Sequence, residues 1–328
     1  MSPLISVLNI FLYLLMIFIV FFILLAIVFG GLRLLVEPVK GVCTSETKLH
    51  GKVVLITGGN TGIGLETARD LARRGAKVII ASRNVEKSIE AVEDIIKTTG
   101  NKNVEHFQLN LSNFKNVRQF AEDFNKNYDR LDILVNNAGC GGLKNRLTKN
   151  GIDVVMQVNY FSHFLLTSLL MDKLEASKPS RIVNVSSVLH HFGNVTQDSI
   201  DGCNYKTFWR SYCTSKLCQV LWTRALAKRL PPGVTVNALH PGIIATDIYK
   251  RAEIFKGILM FYIRVFFKNV VEGAQTTIDV CVNEELENIS GLYFQDCKLC
   301  DISSSAQNDD LAEMVWNQST LLTKEYIS

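Results

Sequence analysis

The first 32 residues of this 328-residue chain lack any charged side chain. They contain the uninterrupted apolar run "IFLYLLMIFIVFFILLAIVF" at 10–29, and about twenty such residues cross a bilayer as a helix. A cleaved signal peptide normally has a basic start, a shorter apolar run and a small-residue cleavage site, and none of these is evident here. We therefore expect a retained membrane anchor over 1–36, a linker over 37–50 and one domain over 51–328.

Basic side chains are also absent before the apolar run, whereas Arg33, Lys40, Lys48 and Lys52 follow it. The positive-inside rule then places the large domain in the cytosol. We expect a single-pass protein, with the endoplasmic reticulum as the expected membrane. Three glycosylation sequons support this orientation, because two of them (Asn110 and Asn184, but not Asn194) lie at ends of predicted buried strands, where a glycan would not fit.

A strong net charge and a regular cysteine framework are missing as well. The 35 basic and 31 acidic residues nearly cancel and form no Lys/Arg run, so nucleic acid is not an expected partner. The eight cysteines are scattered, which is typical of reduced thiols in a cytosol-facing protein. Cys297 and Cys300 form "CKLC", but no second pair or neighbouring histidine accompanies them, so we expect neither zinc nor another metal.

What the chain does have is a repeated pattern of strand followed by helix after residue 50. Short β-branched runs such as "KVVLITGG" and "KVIIAS" alternate with helical segments, including a long amphipathic helix over about 152–176, and "ISGLYF" is the expected last strand. This alternation predicts an α/β fold: a single Rossmann-type, doubly wound parallel sheet with helices on both faces, preceded by the transmembrane helix.

A glycine-rich turn follows the first predicted strand. In "TGGNTGIG" (57–64), Gly58, Gly62 and Gly64 lie between a strand and a helix, where the backbone can approach a pyrophosphate and the helix N-terminus can bind it. A glycine triplet alone is weak evidence, but its place in a first βαβ unit indicates a dinucleotide site. The turn also includes Asn60, Thr61 and Ile63.

The end of the second strand, "ASRN", indicates which dinucleotide is bound. An NAD site usually has an acidic residue here for the ribose hydroxyls, whereas this chain has Arg83, which can pair with a 2′-phosphate. We therefore expect NADP(H), with Ser82 and Asn84 as further hydrogen-bonding residues. The alternative is that Arg83 is an ordinary surface residue.

Five motifs in this order, "TGGNTGIG", "NNAG" (136–139), "NVSS", "YCTSK" and "HPG", resemble those of the short-chain dehydrogenase/reductase superfamily. The resemblance covers roughly residues 50–300. Within the superfamily, the anchor together with "ASRN", "NVSSVLHH", "YCTSKLCQVLW" and "YFQDCK" resembles the membrane-anchored microsomal retinol dehydrogenase and retinaldehyde reductase branch.

The resemblance implies four catalytic residues. Tyr212 would be the general acid/base, Lys216 the cation that tunes it, Ser187 a hydrogen-bond donor to the substrate oxygen, and Asn159 the support of a proton relay. A Tyr-x-x-x-Lys pair alone is more often an ordinary helix face. Chemically, however, a cation about 4 Å from a phenol contributes about 4 kcal/mol at an effective dielectric of about 20, or about three pKa units.

The resemblance also implies the remaining contacts to the dinucleotide. They come from the ends of later strands: Asn137, Ala138 and Gly139, then Pro241, Gly242 and Thr246, with Tyr212 and Lys216 at the nicotinamide end. One position departs from the family pattern, because Asn110, followed by Leu111, replaces the usual aspartate that contacts adenine. An amide oxygen can accept the same hydrogen bond, so we expect altered adenine contacts.

The substrate is less narrowly defined. Residues 254–268, "IFKGILMFYIRVFFK", are mainly apolar and aromatic and follow the Pro-Gly turn. We therefore expect them to form a lid that also contacts the membrane; the alternative is a helix that packs in the core. A lipophilic substrate is expected, with retinal and retinol in the reductive direction first, and a steroid or a long-chain or isoprenoid aldehyde as alternatives. A non-catalytic nucleotide-sensing scaffold and a homodimer also stay open.

Overall fold

The structure is a computed structural model that describes residues 3–36, 39–141, 147–203, 205, 207–244 and 256–327. Within these residues one eight-stranded sheet lies at the centre of the domain. Its strands are β1 (Val53–Thr57), β2 (Lys77–Ser82), β3 (Val104–Gln108), β4 (Ile133–Asn136), β5 (Ser180–Val185), β6 (Val234–Leu239), β7 (Tyr293–Gln295) and β8 (Lys298–Leu299).

The sheet order is β3-β2-β1-β4-β5-β6-β7-β8, and every neighbouring pair is parallel except β7 and β8. The order reverses between β1 and β4, so the connections leaving these two strands diverge and open a crevice at their carboxyl ends. β1 and β4 are buried along their whole length, as expected for parallel strands that helices cover on both faces.

Helices cover both faces of the sheet, which confirms the predicted fold class. In chain order they are α1 (Pro3–Val36), α2 (Gly62–Arg73), α3 (Val85–Thr99), α4 (Phe114–Asn127), α5 (Val154–Met156), α6 (Ser162–Leu169), α7 (Met171–Ala176), α8 (Phe208–Ala227), α9 (Lys256–Phe266), α10 (Val270–Val282), α11 (Ser304–Gln307) and α12 (Asp309–Ile327). Side chains of α4, α6, α8 and α12 form one apolar core, and those of α2, α3 and α10 form the other.

The predicted continuous helix over 152–176 is wrong in detail. A five-residue π-helix, Gln157–Phe161, separates α5 from α6, and Leu170 ends α6 before α7 begins. The wider turn is not visible in the sequence because its residues are buried on almost every side, so no polar face marks the change of pitch. Its central residue is Asn159.

The hairpin of β7 and β8 extends beyond the predicted last strand. Its turn uses Asp296 and Cys297 in the left-handed region, at φ of 52° and 57°. Non-glycine residues rarely adopt this region. The turn has Asp-Cys in place of the Asn-Gly or Gly-Gly pairs that normally indicate a hairpin in a sequence. The second strand, only two residues long, therefore could not be predicted.

The segment between α1 and β1 lies against the domain. Lys40 forms an ion pair with Glu272, and the Cys43 N–H donates to Gln275 Oε1 at 3.1 Å, both on α10. Farther along the segment, Arg74 donates to the carbonyl oxygens of Ser45 and Thr47.

A buried ion pair joins three parts of the chain. Lys268, between α9 and α10, pairs with Asp296 of the hairpin turn. The Gly41 N–H donates to the same carboxylate at 3.3 Å, and a Cβ on Gly41 would lie 2.2 Å from the Asp296 carbonyl carbon. The Lys268 N–H also donates to the carbonyl of Ile243, so the two ends of the 243–268 segment meet beside the ion pair.

Candidate active site

Tyr212 and Lys216 lie one turn apart on α8, as the sequence predicts for a helix. Tyr212 is half-buried, whereas Lys216 is only 4% exposed. The Lys216 Nζ lies 5.7 Å from the centroid of the Tyr212 ring. A cation and a phenol are therefore neighbours, with the phenol on the more exposed side.

Two oxygens hold the Lys216 ammonium. Its Nζ donates to the Val185 carbonyl at the end of β5, at 2.9 Å, and to Gln219 Oε1, at 3.1 Å. Burial nevertheless lowers the pKa of Lys216 from its usual value to about 8. The charge of this lysine is therefore sensitive to the few polar groups around it.

Asn159, in the π-helix, lies beside the same lysine. Its Oδ1 accepts from the Cys140 N–H at 2.8 Å, and its Nδ2 donates to the Cys140 carbonyl and to Ser215 Oγ, both at 3.0 Å. A Cβ on Gly139 would lie 3.6 Å from Asn159 Oδ1 and 3.7 Å from Lys216 Nζ. The end of "NNAG" thus packs directly against both residues, and a glycine leaves that space open.

The carbonyl oxygen of Asn159 accepts two side-chain hydrogen bonds. Gln219 Nε2 donates at 2.9 Å and His163 Nδ1 at 3.1 Å. Gln219 therefore connects the Lys216 ammonium to the Asn159 backbone through its two amide atoms. This connection is fully buried, since neither Gln219 nor Asn159 is accessible to solvent.

His163 continues this network to the end of β1. Because a carbonyl can only accept, His163 Nδ1 carries the proton, and Nε2 accepts from Thr57 Oγ1 at 2.9 Å. Burial lowers the pKa of His163 to about 4, so the ring is neutral at physiological pH. Thr57 Oγ1 in turn accepts from the N–H groups of Asn137 and Ala138, each at 3.0 Å.

The glycine-rich turn after β1 is closely packed where backbone segments meet. A Cβ on Gly64 would lie 2.4 Å from the Gly58 carbonyl oxygen and 2.5 Å from Asn137 Nδ2. Gly58 and Gly62 adopt φ of 66° and 59°, a region that favours glycine. The other predicted residues of the turn are at the start of α2 and are only partly covered or exposed: Asn60, Thr61 and Ile63. This backbone fits a pyrophosphate at the N-terminus of α2.

Ser187 follows the end of β5, two residues after the Val185 carbonyl that holds Lys216. Its side chain is partly exposed, and its Oγ accepts from the Leu189 N–H at 3.2 Å. The neighbouring Ser186 donates to the Lys216 carbonyl at 2.8 Å, which ties this strand end to α8. Ser187, Tyr212 and Lys216 therefore lie at the same edge of the sheet.

His190 has a structural position behind Ser187. It is fully buried, its Nδ1 donates to the Ser187 carbonyl at 2.8 Å, and its Nε2 accepts from the Ser303 N–H at 3.2 Å. Burial lowers its pKa to about 4. It therefore stays neutral and holds the loop that carries Ser187 against the C-terminal region.

The residues predicted at the adenosine end have unequal surroundings. Arg83 is exposed just beyond β2. Ser82 Oγ instead shares a 2.6 Å hydrogen bond with Ser88, and Asn84 Oδ1 caps α3 by accepting from the Lys87 N–H at 2.7 Å. These two hydrogen bonds engage the side chains of Ser82 and Asn84 but not that of Arg83.

Asn110 and Leu111 lie at the end of β3, on the same side of the sheet. Asn110 Oδ1 already accepts from the N–H and hydroxyl of Ser112, at 3.1 and 2.7 Å. The amide oxygen that we expected to receive the adenine amino group is therefore engaged within its own turn. Leu111 is buried.

The Pro-Gly turn follows β6. The Gly242 N–H donates to His240 Nδ1 at 3.0 Å, and Gly242 has a φ of 96°, while the carbonyl of Pro241 accepts from Lys268. Thr246 and residues 254–255 of the predicted lid lie outside the described residues.

Three residues of this site escaped sequence reasoning: Thr57, His163 and Gln219. Gln219 could have been found, because it lies three residues after Lys216, on the same helix face. Thr57 directly precedes Gly58, and a buried hydroxyl at a strand end is a recognisable signal. His163 could not have been found without the geometry of the π-helix that precedes it.

Comparison with known proteins agrees with this architecture. The protein-family model for the short chain dehydrogenase matches residues 52–254. Retinol dehydrogenase 12 of Bos taurus is 45% identical over 280 residues, covering 85% of this chain and 88% of the relative. Retinol dehydrogenase 11 of Mus musculus is 42% identical over 85% of this chain and 89% of its own, and retinol dehydrogenase 13 of Mus musculus is 41% identical over 90% and 91%.

Solved structures show the same fold. An uncharacterized protein from Mycobacterium paratuberculosis superimposes with a TM-score of 0.70 at 27% identity, covering 87% of this chain and 98% of its own. A short chain dehydrogenase from Escherichia coli CFT073, crystallised with NADPH, superimposes with a TM-score of 0.60 at 25% identity, covering 77% and 99%.

Proposed function

Because the chain belongs to the short-chain dehydrogenase family and is therefore an oxidoreductase acting on CH–OH groups, we propose that it is an NADP(H)-dependent reductase of retinal. The single observation that carries the mechanism is the buried ammonium of Lys216, held 5.7 Å from the centroid of the Tyr212 ring and beside Gly139 at the end of "NNAG". The names of the retinol dehydrogenase relatives support the choice of substrate.

The chain's own residues would act on the substrate oxygen. When bound, NADP(H) supplies the hydride, and the protein must position the carbonyl and deliver a proton. With 5.7 Å as the separation and an effective dielectric of about 20, the Lys216 charge stabilises a phenolate on Tyr212 by about 3 kcal/mol. Tyr212 can then give its proton to the oxygen, while the Ser187 hydroxyl donates to the developing negative charge.

The exposed Arg83 at the end of β2 favours NADP(H) over NAD(H), because "ASRN" has an arginine and no carboxylate at this strand end. A guanidinium pairs well with a phosphate dianion, whereas a ribose hydroxyl offers it little. Reduction is the expected cellular direction because NADPH pools are usually kept reduced.

The experiment that tests the proposal compares Tyr212→Phe with Tyr205→Phe in full-length protein in detergent. Tyr205 is a buried tyrosine whose hydroxyl donates to the Asn194 carbonyl at 3.2 Å. We expect Tyr212→Phe to retain NADPH binding while retinal reduction falls by about 10²- to 10⁴-fold, the usual size of acid–base effects. Tyr205→Phe should keep its turnover.

Near-normal turnover of Tyr212→Phe would remove the proposed acid. The same assay, run with ketosteroids and long-chain or isoprenoid aldehydes, tests the substrate: a clear preference for either class over retinal would replace retinal in this proposal while leaving the catalytic residues in place.

We also propose that residues 10–29 anchor the chain in the endoplasmic reticulum membrane, with the domain in the cytosol. Asn194 offers a direct test, because it lies in an Asn-Val-Thr sequon whose Asn194 and Thr196 are exposed. In the lumen this site would be accessible to the glycosylation machinery. We expect endoglycosidase treatment of the cellular protein to leave its mobility unchanged; a shift that Asn194→Gln abolishes would reverse the orientation.

A further inference from the structure

One stripe of α1 is partly covered, although the rest of the helix is exposed. Within the candidate span Asn9–Leu35, six residues spaced by three or four positions are half-buried, and all others are exposed: Phe22, Leu25, Ala26, Phe29, Gly30 and Arg33. This spacing defines one face of a helix. A partner therefore covers the second half of the span along that face.

The partner is α9. Tyr262 stacks on Phe29 with ring centroids 5.0 Å apart, and its hydroxyl donates to the Phe22 carbonyl at 2.8 Å. Phe266 approaches Gly30, and Phe267, just beyond α9, meets Phe29 edge-on at 6.5 Å. Higher residue numbers on α9 match higher numbers on α1, so the two helices run roughly parallel.

The lengths of the paired segments agree with half a bilayer. The covered stripe spans twelve residues, from Phe22 to Arg33, and α9 has eleven. At 1.5 Å per residue the two segments are about 18 Å and about 16 Å long, close to half of a hydrocarbon core of about 30 Å. Residues 10–21 of α1, which would cross the other half, are exposed on every side.

The exposed face of α9 carries two large apolar side chains. Tyr262 and Ile263 are buried, but Phe261 and Val265 are 59% and 58% exposed. These two side chains are four residues apart and continue the exposed apolar surface of α1. Arg264 is also exposed, close to the end of α9 that lies beside Gly30, where its long side chain can reach the headgroups.

We propose that α9 is inserted beside α1 in the cytosolic leaflet, with Phe261 and Val265 in contact with phospholipid acyl chains. The two ends of the 243–268 segment meet just after β6, at the same edge of the sheet as Tyr212 of α8. A lipophilic substrate dissolved in the leaflet would therefore reach the site along α9 without crossing water. This inference rests on the proposed anchor, but not on the identity of the substrate or on the catalytic residues.

Photolabelling of the full-length protein in phosphatidylcholine vesicles tests this placement. One phospholipid carries a diazirine on its acyl chain and a second carries it on its headgroup; adducts are then mapped by mass spectrometry. Cleavage after basic residues separates peptide 257–264, which contains Phe261, from the peptides of α1 and of the soluble helices.

We expect the acyl-chain probe to label peptide 257–264 together with α1, and to leave the C-terminal helix α12 unlabelled although Leu321 is 65% exposed there. Labelling of α1 without 257–264, or labelling of 257–264 by the headgroup probe alone, would overturn the inference. Absence of label from α1 itself would instead refute the anchor on which it rests.

A pair of variants adds a functional readout. Phe261→Asp combined with Val265→Asp should raise KM for retinal presented in vesicles at least several-fold, with kcat and the KM for NADPH unchanged. Leu321→Asp, an exposed leucine on a soluble helix, is the matched control and should change none of these values. Equal KM values for the double variant and the control would contradict delivery along α9.

Discussion

Replacement of Gln219 by leucine should move the alkaline limit of the reductive reaction. Gln219 is fully buried, and its Oε1 is one of the two oxygens that hold the Lys216 ammonium. Leucine has a similar size but offers no acceptor. The charged form of Lys216 then loses one hydrogen bond, and nothing replaces it in this buried position.

The structure gives the size of the effect. A hydrogen bond to a charged group contributes about 1.5–3 kcal/mol, or about one to two pKa units, so the pKa of Lys216 should fall from about 8 to about 6–7. The charged fraction of Lys216 should therefore be smaller in the variant at neutral and mildly alkaline pH. Because a lysine is charged below its pKa, activity is lost as pH rises, and this loss should begin about one to two pH units earlier.

The assay is the pH profile of kcat/KM for NADPH-dependent retinal reduction. Gln219→Glu should move the alkaline limb the other way, because a carboxylate beside the ammonium favours its charged form. Gln157→Leu is the control: Gln157 is another fully buried glutamine, bonded to Thr148 and Asn150, and its loss should leave the limb in place.

Alkaline limbs that coincide in the wild type, Gln219→Leu and Gln219→Glu would refute the role of Gln219, provided that thermal unfolding shows all three proteins to be folded. Shifts of both variants in the same direction would refute it too, since only control of the lysine charge gives opposite signs.

Three further changes have defined outcomes. Arg83→Ala should raise KM for NADPH about 10- to 100-fold and leave that for NADH unchanged, as steady-state kinetics would show; equal effects on both would refute the phosphate contact. Gly64→Ala should abolish dinucleotide binding measured by calorimetry, because its Cβ would lie 2.4 Å from a carbonyl oxygen, whereas the Cβ of Gly31→Ala, in helix α1, meets nothing and this variant should still bind. Lys268→Met should lower the free energy of unfolding by about 3–5 kcal/mol in denaturant titration, against less than about 1 kcal/mol for Arg118→Met in an exposed pair; similar losses would contradict this.

The parts of the fold that could be predicted are those with a local signal. The strand–turn–helix at Gly58–Gly64 and the Tyr212–Lys216 turn depend on residue types at fixed spacing, and the structure brings both to one edge of the sheet. The strand order follows because alternating strands and helices admit few arrangements.

What could not be predicted depends on contacts between distant segments. Asn159 was identified by resemblance, but its backbone role depends on a π-helix and on Gln219, sixty residues away. The hydrogen bond from the Ser112 hydroxyl to Asn110 Oδ1 could not be predicted from the sequence either, since an amide oxygen that can accept from a ligand can equally accept from its own turn. The pairing of α1 with α9 joins residues 240 positions apart.

The contact of Gly41 with Asp296 has a practical consequence for anyone preparing a soluble form of this enzyme. Removing the anchor looks harmless if the cut is made at Gly51, just before the first strand. That cut would also delete the stretch that pairs with Glu272, Gln275 and Asp296, and would leave the Lys268 ion pair open to water. A shortened version that begins before Lys40 keeps these bonds, and should express as a stable protein where the shorter one aggregates.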